Sequence, residues 1–361
     1  MGKKRDGYVD IWSSSDHGGR KKPKKQKQSK KKQVRSQSPQ KHTKAKKPHR
    51  VRRCILVILL ALVLIVTSLL TAGYFYIGSS LNTVDFPTDK ESLGIDSSAQ
   101  SSLFVKNIAL FGVDSRGSDD SGRSDTMMIV SLDGKHHEIK LTSVLRDSRV
   151  EIPGHGMDKL CHAYAYGGPE LAVETLNENY HLDIDEYITV NFNQLAQIID
   201  AIGGVTIDIT EKERVAANGL IASTPSLSYS PEIKSSGTVH LNGAQAVAYS
   251  RIRKIDNESE RASRQQTVLQ AMLNQISSVS VLEYPKLVKE ILPYLETSIS
   301  YGDLVSFLPF FLFGIPDLTN NTVPDQNDPN VKGGEINGVW YWSYDLDDAA
   351  DSMHEFIYNQ S

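Results

Sequence analysis

Hydrophobic and polar positions divide this chain into regions of different character. Residues 20–53 hold a single branched aliphatic side chain, Val34, before Val51, so they cannot bury enough surface to offset ordering and read as a disordered tail over 1–53. The next stretch, CILVILLALVLIVTSLLTAGYFYIG from Cys54 to Gly78, contains no charge. As a helix it reaches roughly 36 Å, enough to cross a hydrocarbon core of about 30 Å. It also exceeds the apolar run of a cleaved signal peptide, about 7–15 residues. A spanning helix over 54–78 is therefore expected. Ser- and Asp-rich residues 79–102 read as a linker, and globular patterning begins near Val105.

From there, short β-branched runs alternate with helical patterns. Strands are expected at 107–114, 126–133, 139–147, 187–192 and 204–209. Helices are expected at 169–180, opened by Pro169, and at 193–204, closed by a glycine pair. Further helices are expected over 262–280, around 284–296 and over 345–360. Strands interspersed with helices predict an α/β fold whose sheet is covered on both faces, forming one domain over 103–361. The run LVSFLPFFLFGIP (304–316) is too short to span and is read as core.

Charge changes the picture. The net charge of −3 hides a +17 tail: the first 53 residues carry 20 Lys and Arg against Asp6, Asp10 and Asp16. Residues 54–361 carry 20 basic and 40 acidic residues, which excludes broad nucleic-acid binding by the main body. The basic flank orients the helix with its tail in the cytoplasm and the domain outside. Beside a spanning helix, such a tail suits anionic lipid head groups; it has no helix-turn-helix pattern, and nucleic acid is not an expected partner. Cys54 and Cys161 lie on opposite sides of the membrane in this topology, so no disulfide is expected. Cys161 reads as a small buried thiol.

Within the acidic domain, eight of nine arginines fall in three segments: Arg116 and Arg123; Arg146 and Arg149; Arg251, Arg253, Arg261 and Arg264. Planar, permanently charged forks gathered this way point to a phosphate-bearing ligand. Asp114 closes one expected strand and Asp125 opens the next, so two carboxylates converge, a donor pair suited to Mg²⁺. Arg146 follows a strand carboxyl end, where α/β sheets open onto their ligand crevice. If YSRIR is extended, Arg251 and Arg253 share a face; Arg261 and Gln265 share a helix face. Leu171, Val173, Leu176, Ile198 and Ile199 offer an apolar stripe that reads first as core and second as a lipid groove.

The segments GVDSRGSDDSGRSDTMMIVSLD (112–133), SVLRDSRVEIPG (143–154), MDKLCHAYAYGGPELAVETLN (157–177), FNQLAQIIDAIGGVTIDI (192–209) and LNGAQAVAYSRIRKIDNESERASRQQTVL (241–269) together resemble the LytR-CpsA-Psr family. The resemblance implies an α-β-α sandwich with a central mixed sheet. It implies a phosphotransferase that moves a glycopolymer, such as teichoic acid or capsular polysaccharide, from a polyprenyl-diphosphate carrier to peptidoglycan. It further implies that Asp114 and Asp125 hold Mg²⁺ (or Mn²⁺), and that Arg123, Arg146, Arg251, Arg253, Arg261 and Gln265 surround the pyrophosphate. Arg149 joins that set by proximity to Arg146. Arg146, Asp114 and Asp125 are the expected catalytic residues. The chain has Leu145 where the family often has proline, and Asp256 is a candidate for deprotonating the acceptor. Two other activities use the same sequence features: a pyrophosphatase acting on the same lipid-linked glycan, and a membrane-anchored transcriptional attenuator.

Overall fold

The computed structural model describes residues 61, 63–65, 68, 71–76, 78, 83–97, 99–114, 122–253, 255, 258–280, 283–312 and 316–358. The basic tail, most of the 54–78 run, Arg116 and Asp256 lie outside them. Among the described residues no helix is long and apolar enough to cross a membrane.

Strands β1 (Val105–Val113) and β2 (Ser124–Asp133) are apolar on both faces, as strands buried on both sides must be. Ala109, Phe111, Met127 and Ile129 point into one core; Ile108 and Leu132 point into another. With β3 (Glu138–Val144), β6 (Glu186–Asn191), β9 (Glu296–Thr297) and β10 (Asp317–Val323), they form a six-stranded sheet in the order β10-β3-β2-β1-β6-β9. The sheet is mixed. β1 runs parallel to β6 and β3 parallel to β10, whereas β2 is antiparallel to both β1 and β3. The carboxyl ends of β1, β3 and β6 and the start of β2 therefore meet along one edge.

One face is covered by α1 (Leu160–Tyr180) and α8 (Leu346–Tyr358), whose Val173, Leu176, Met353 and Ile357 are wholly buried. The other lies under α5 (Glu258–Ser278) and α7 (Tyr301–Leu312), with Leu269, Leu273, Leu304, Phe307 and Phe310 against the sheet. The core reading of the 304–316 run holds for these side chains. α1 breaks at Gly168, where φ +66° and ψ −156° suit only glycine, and Pro169 restarts it, so the expected 169–180 helix is its second half.

A third core joins α2 (Phe192–Ala201), α4 (Gly243–Ser250), α6 (Tyr284–Ile291) and α3 (Glu211–Ser223). Gly203 and Gly204, both at positive φ, end the α2 segment as expected. The 204–209 run forms a strand, but β7 (Val205–Ile209) pairs only with β8 (Gly237–Leu241), outside the central sheet. Two further ribbons, β4 (Arg149–Ile152) with β5 (Gly156–Lys159) and β11 (Lys332–Ile336) with β12 (Val339–Ser343), flank the main sheet. Lys140 is fully buried on β3, donating to Asp133 Oδ2 at 3.0 Å and to the Ile357 carbonyl at 2.8 Å, which ties α8 to the sheet.

Candidate active site

Asp125 is the hub. It stands on β2 beside the end of β1, where the β1–β2 register shifts between Gly112 and Val113. Arg146 Nη1 donates to its Oδ1 at 2.5 Å, Arg253 Nη2 to its Oδ2 at 2.7 Å, and Arg261 Nη2 to its backbone carbonyl at 2.6 Å. Burial alone would raise this carboxyl, but Arg253, then Arg146 and Arg261, outweigh it and hold it below the ordinary value. Asp125 therefore stays ionised and holds three guanidinium groups around one point. Arg146 Nε also reaches Asp147 Oδ2 at 3.4 Å, while Lys159 Nζ takes the other Asp147 oxygen at 2.8 Å.

Asp114 follows β1, its backbone N–H bonded to the Arg123 carbonyl at 3.3 Å, with Arg251 Nη2 at 4.0 Å from its Oδ2. Arg251 also lies over the Phe192 ring, 4.2 Å from its centroid, which orients the guanidinium alongside its ion pair with Asp114. Asp114, Asp125, Arg251, Arg253, Arg261 and Gln265 all line one cavity of about 800 Å³. Its opposite wall is the apolar face of α3, with Val215, Ala216, Gly219 and Leu220.

Six of the expected site residues thus converge, and Arg146 joins them through Asp125. Arg123 is exposed just before β2, and among the described residues its bond to the cluster is made by its carbonyl. Arg149 lies on the β4–β5 ribbon, away from the cavity lining. The YSRIR segment is not extended: Tyr249 and Ser250 end α4, and Arg251 is its C-cap at φ −97°, ψ 2°. Both arginines still reach the cavity, because the chain leaves the helix there, with Ile252 buried between them. Arg264 is held elsewhere, by Glu213 Oε1 at 2.9 Å and the Ile252 carbonyl at 3.2 Å. Cys161 is buried and its thiol is pushed up to about 12, chiefly by burial, so it is inert as a nucleophile.

A second cavity, about 280 Å³, was not legible as such. It lies between the sheet and α5, lined by Leu110, Met128, Val190, Leu195, Ile198 and Met272 among others, and it shares Phe192 and Gln265 with the first. The expected apolar stripe divides accordingly. Ile198 lines this cavity, while Leu171, Val173 and Leu176 pack in the core on the other side of the sheet, and Ile199 is buried in the third core. Among the described residues no group of three His, Cys, Asp or Glu converges. Asp114 and Asp125 both line the cavity, and carboxylate oxygens are the donor type a hard cation takes alongside water or phosphate oxygens, although both Asp125 oxygens accept from arginines here.

A charged cavity joined to an apolar one is a site for an amphiphile with an anionic head. The LytR_cpsA_psr family matches over residues 81–356. The polyisoprenyl-teichoic acid–peptidoglycan teichoic acid transferase TagU of Oceanobacillus iheyensis is 32% identical over 298 residues, covering 79% of this chain and 87% of that protein. The fold is that of "TagT bound to LI-WTA", with TM-score 0.61 and 24% identity over 76% of this chain and 99% of that one. It is also that of the LytR-CPS2A-psr family protein YwtF (TagT) with bound octaprenyl pyrophosphate lipid, with TM-score 0.57 and 23% identity over 76% and 99%. The match across most of its length, with the arginines and aspartates of the motifs gathered at one cavity, makes this chain a member of the LytR-CpsA-Psr family.

Proposed function

We propose that this protein is a phosphotransferase that moves a glycopolymer of the teichoic acid or capsular type from a polyprenyl-diphosphate carrier to peptidoglycan. The observation that carries the reading is the junction at Phe192 and Gln265 between the arginine-lined cavity and the apolar one. The carrier's diphosphate fits the first and the start of its hydrocarbon chain fits the second. The named activity of the TagU relative supports the same reading.

In this reaction an acceptor hydroxyl oxygen bonds to the glycan-bearing phosphorus while the bond to the bridging oxygen breaks, and polyprenyl phosphate leaves. Little covalent chemistry is required of the protein; positioning and charge neutralisation dominate. Arg251, Arg253 and Arg261 line the cavity, where they would face the diphosphate. Arg146 is pre-set against Asp125 and Asp147, so its fork is in place before charge develops. Asp114 and Asp125 would hold Mg²⁺ (or Mn²⁺), which supplies further neutralisation of the diphosphate when bound. A spanning helix at 54–78 would place the domain outside the membrane and the basic tail against anionic lipid head groups on the cytoplasmic side.

The test supplies labelled lipid-linked glycan and peptidoglycan oligomers to the full-length protein. Label on the oligomers supports the transferase; label released only to water makes the protein a pyrophosphatase. Chelation should stop transfer and Mg²⁺ should restore it; in Asp114→Ala that restoration should need more metal. Protease added to intact protoplasts should remove the domain, and protection of it would overturn the topology.

A further inference from the structure

We propose that the side chains gathered around Asp158, on the far side of Arg146 from the main cavity, form the subsite that binds a sugar ring of the peptidoglycan acceptor. The proposal rests on the transferase reading above.

Direction comes first. In-line displacement puts the attacking oxygen opposite the leaving one. The leaving phosphate carries the hydrocarbon chain past Phe192 and Gln265 into the apolar cavity, so the acceptor must arrive from the opposite side of Asp125. That side leads through Arg146 to Asp147, and from Asp147 to Lys159 at 2.8 Å.

Next to Lys159, Asp158 accepts from the Tyr166 hydroxyl at 2.7 Å and the Tyr341 hydroxyl at 3.3 Å, with His162 Nδ1 at 2.8 Å. The His155 ring stacks on Tyr166, centroids 4.4 Å apart and planes 17° from parallel. Three elements are fastened together by this one carboxylate: the β4–β5 ribbon, α1 and β12. The Tyr166 ring is held from both its hydroxyl and one face, yet 47% of the residue remains exposed.

A pyranose presents a patch of C–H groups on one face and hydroxyls around its edge. Its binding needs a rigid aromatic surface flanked by fixed polar groups, which is the arrangement around Asp158. Fixing the ring before binding removes an ordering cost that a loose tyrosine would pay on contact. None of these side chains faces the diphosphate cavity, so the chemistry of phosphate transfer does not account for them.

The test compares full-length parent, Tyr166→Ala and Tyr166→Phe, each first shown to unfold at the parent temperature. The substrates are labelled lipid-linked glycan and peptidoglycan oligomers. An aromatic contact of this kind is worth about 3- to 10-fold in affinity, so Tyr166→Ala should raise the acceptor KM by that factor. Donor KM and release of label to water should stay at parent values, and Tyr166→Phe, which keeps the ring but loses the hydroxyl hold on Asp158, should fall between parent and Tyr166→Ala in acceptor KM. An unchanged acceptor KM in Tyr166→Ala overturns the subsite. So does a raised donor KM with the acceptor KM unchanged, which would give the platform to the donor's glycan. A parent protein that sends label only to water removes the transferase reading and the acceptor subsite together; transfer by the parent with Tyr166→Ala unaffected removes the subsite alone.

Discussion

Replacing Arg146 by alanine tests the catalytic assignment most directly. The side chain bridges two carboxylates, Asp125 at 2.5 Å and Asp147 at 3.4 Å, and is 23% exposed. Removing it leaves Asp125 with Arg253 and Arg261, and Asp147 with Lys159, so neither acid is stranded. The cost to stability should therefore be modest, about 1.5–3 kcal/mol, the worth of a hydrogen bond to a charged group. The cost to catalysis should be larger. A preorganised donor aimed at developing charge contributes about 10²–10³ in rate. Arg146→Lys should recover only part of it, since a point charge cannot span Asp125 and Asp147 as a planar fork does. Single-turnover transfer of labelled glycan, with substrate saturating, reads the chemical step. Acidity gives a second readout. Because Arg146 helps hold the Asp125 carboxyl below its ordinary value of about 3.9, the stability it confers is present above that pH and lost as pH falls through the lowered native value. The gap in unfolding temperature between parent and Arg146→Ala should close below about pH 4. A folded Arg146→Ala protein that transfers glycan at the parent rate would refute the assignment and move the main phosphate anchor to Arg251 and Arg253.

The remaining expectations concern other parts of the molecule. Leu195→Trp fills the apolar cavity, so it should raise the KM for a lipid-linked donor about tenfold or more while leaving thermal unfolding near parent; an unchanged donor KM would show that the chain binds elsewhere. Arg264→Ala leaves Glu213, whose side chain is 15% exposed, without its guanidinium and should cost about 3 kcal/mol in denaturant unfolding, part of it recovered in the double variant with Glu213→Gln. Burial, reinforced by Asp303 and Asp185 against the pull of Lys106, pushes the Glu186 carboxyl up to about 7. Stability from this raised group is full below about 4.5 and is lost as pH rises through 7, so Glu186→Gln should gain on the parent in unfolding temperature between pH 5 and 8.

Much of the sheet was legible because its strands are short, β-branched and bounded by turns; Val105–Val113, Ser124–Asp133 and Glu186–Asn191 fall within two residues of the expected runs. The Glu211–Ser223 helix escaped because its pattern is polar and its few apolar residues are divided, Ala217 and Ile221 facing the third core and Val215 and Gly219 the cavity. Gly243–Ser250 escaped for the opposite reason: all eight residues are buried, so no amphipathic period marks a helix, and the following Arg-Ile-Arg imitates a strand. Aspartates and arginines of the site were readable because charge clustered in a acidic domain stands out. The apolar cavity was not, since Leu195, Ile198 and Met272 lining a void have the same composition and spacing as residues lining a packed interior. Arg149 stands apart from the cavity lining because, three residues past Arg146, the chain has already turned into the β4–β5 ribbon.

Because Phe192 and Gln265 belong to both cavities, a carrier lipid bound as proposed would be gripped at head and tail as a bidentate ligand, and occupancy of one cavity would raise the effective concentration of the other half. Inorganic diphosphate, with no tail, should compete poorly, and an uncharged prenol should compete poorly too. Polyprenyl phosphate, the proposed reaction's own product, retains the tail and one phosphate, so it keeps a grip on both cavities after the glycan has gone. Slow release of that product is then the expected limit on turnover: a burst of transferred glycan before the steady state would show it, and its absence would refute it.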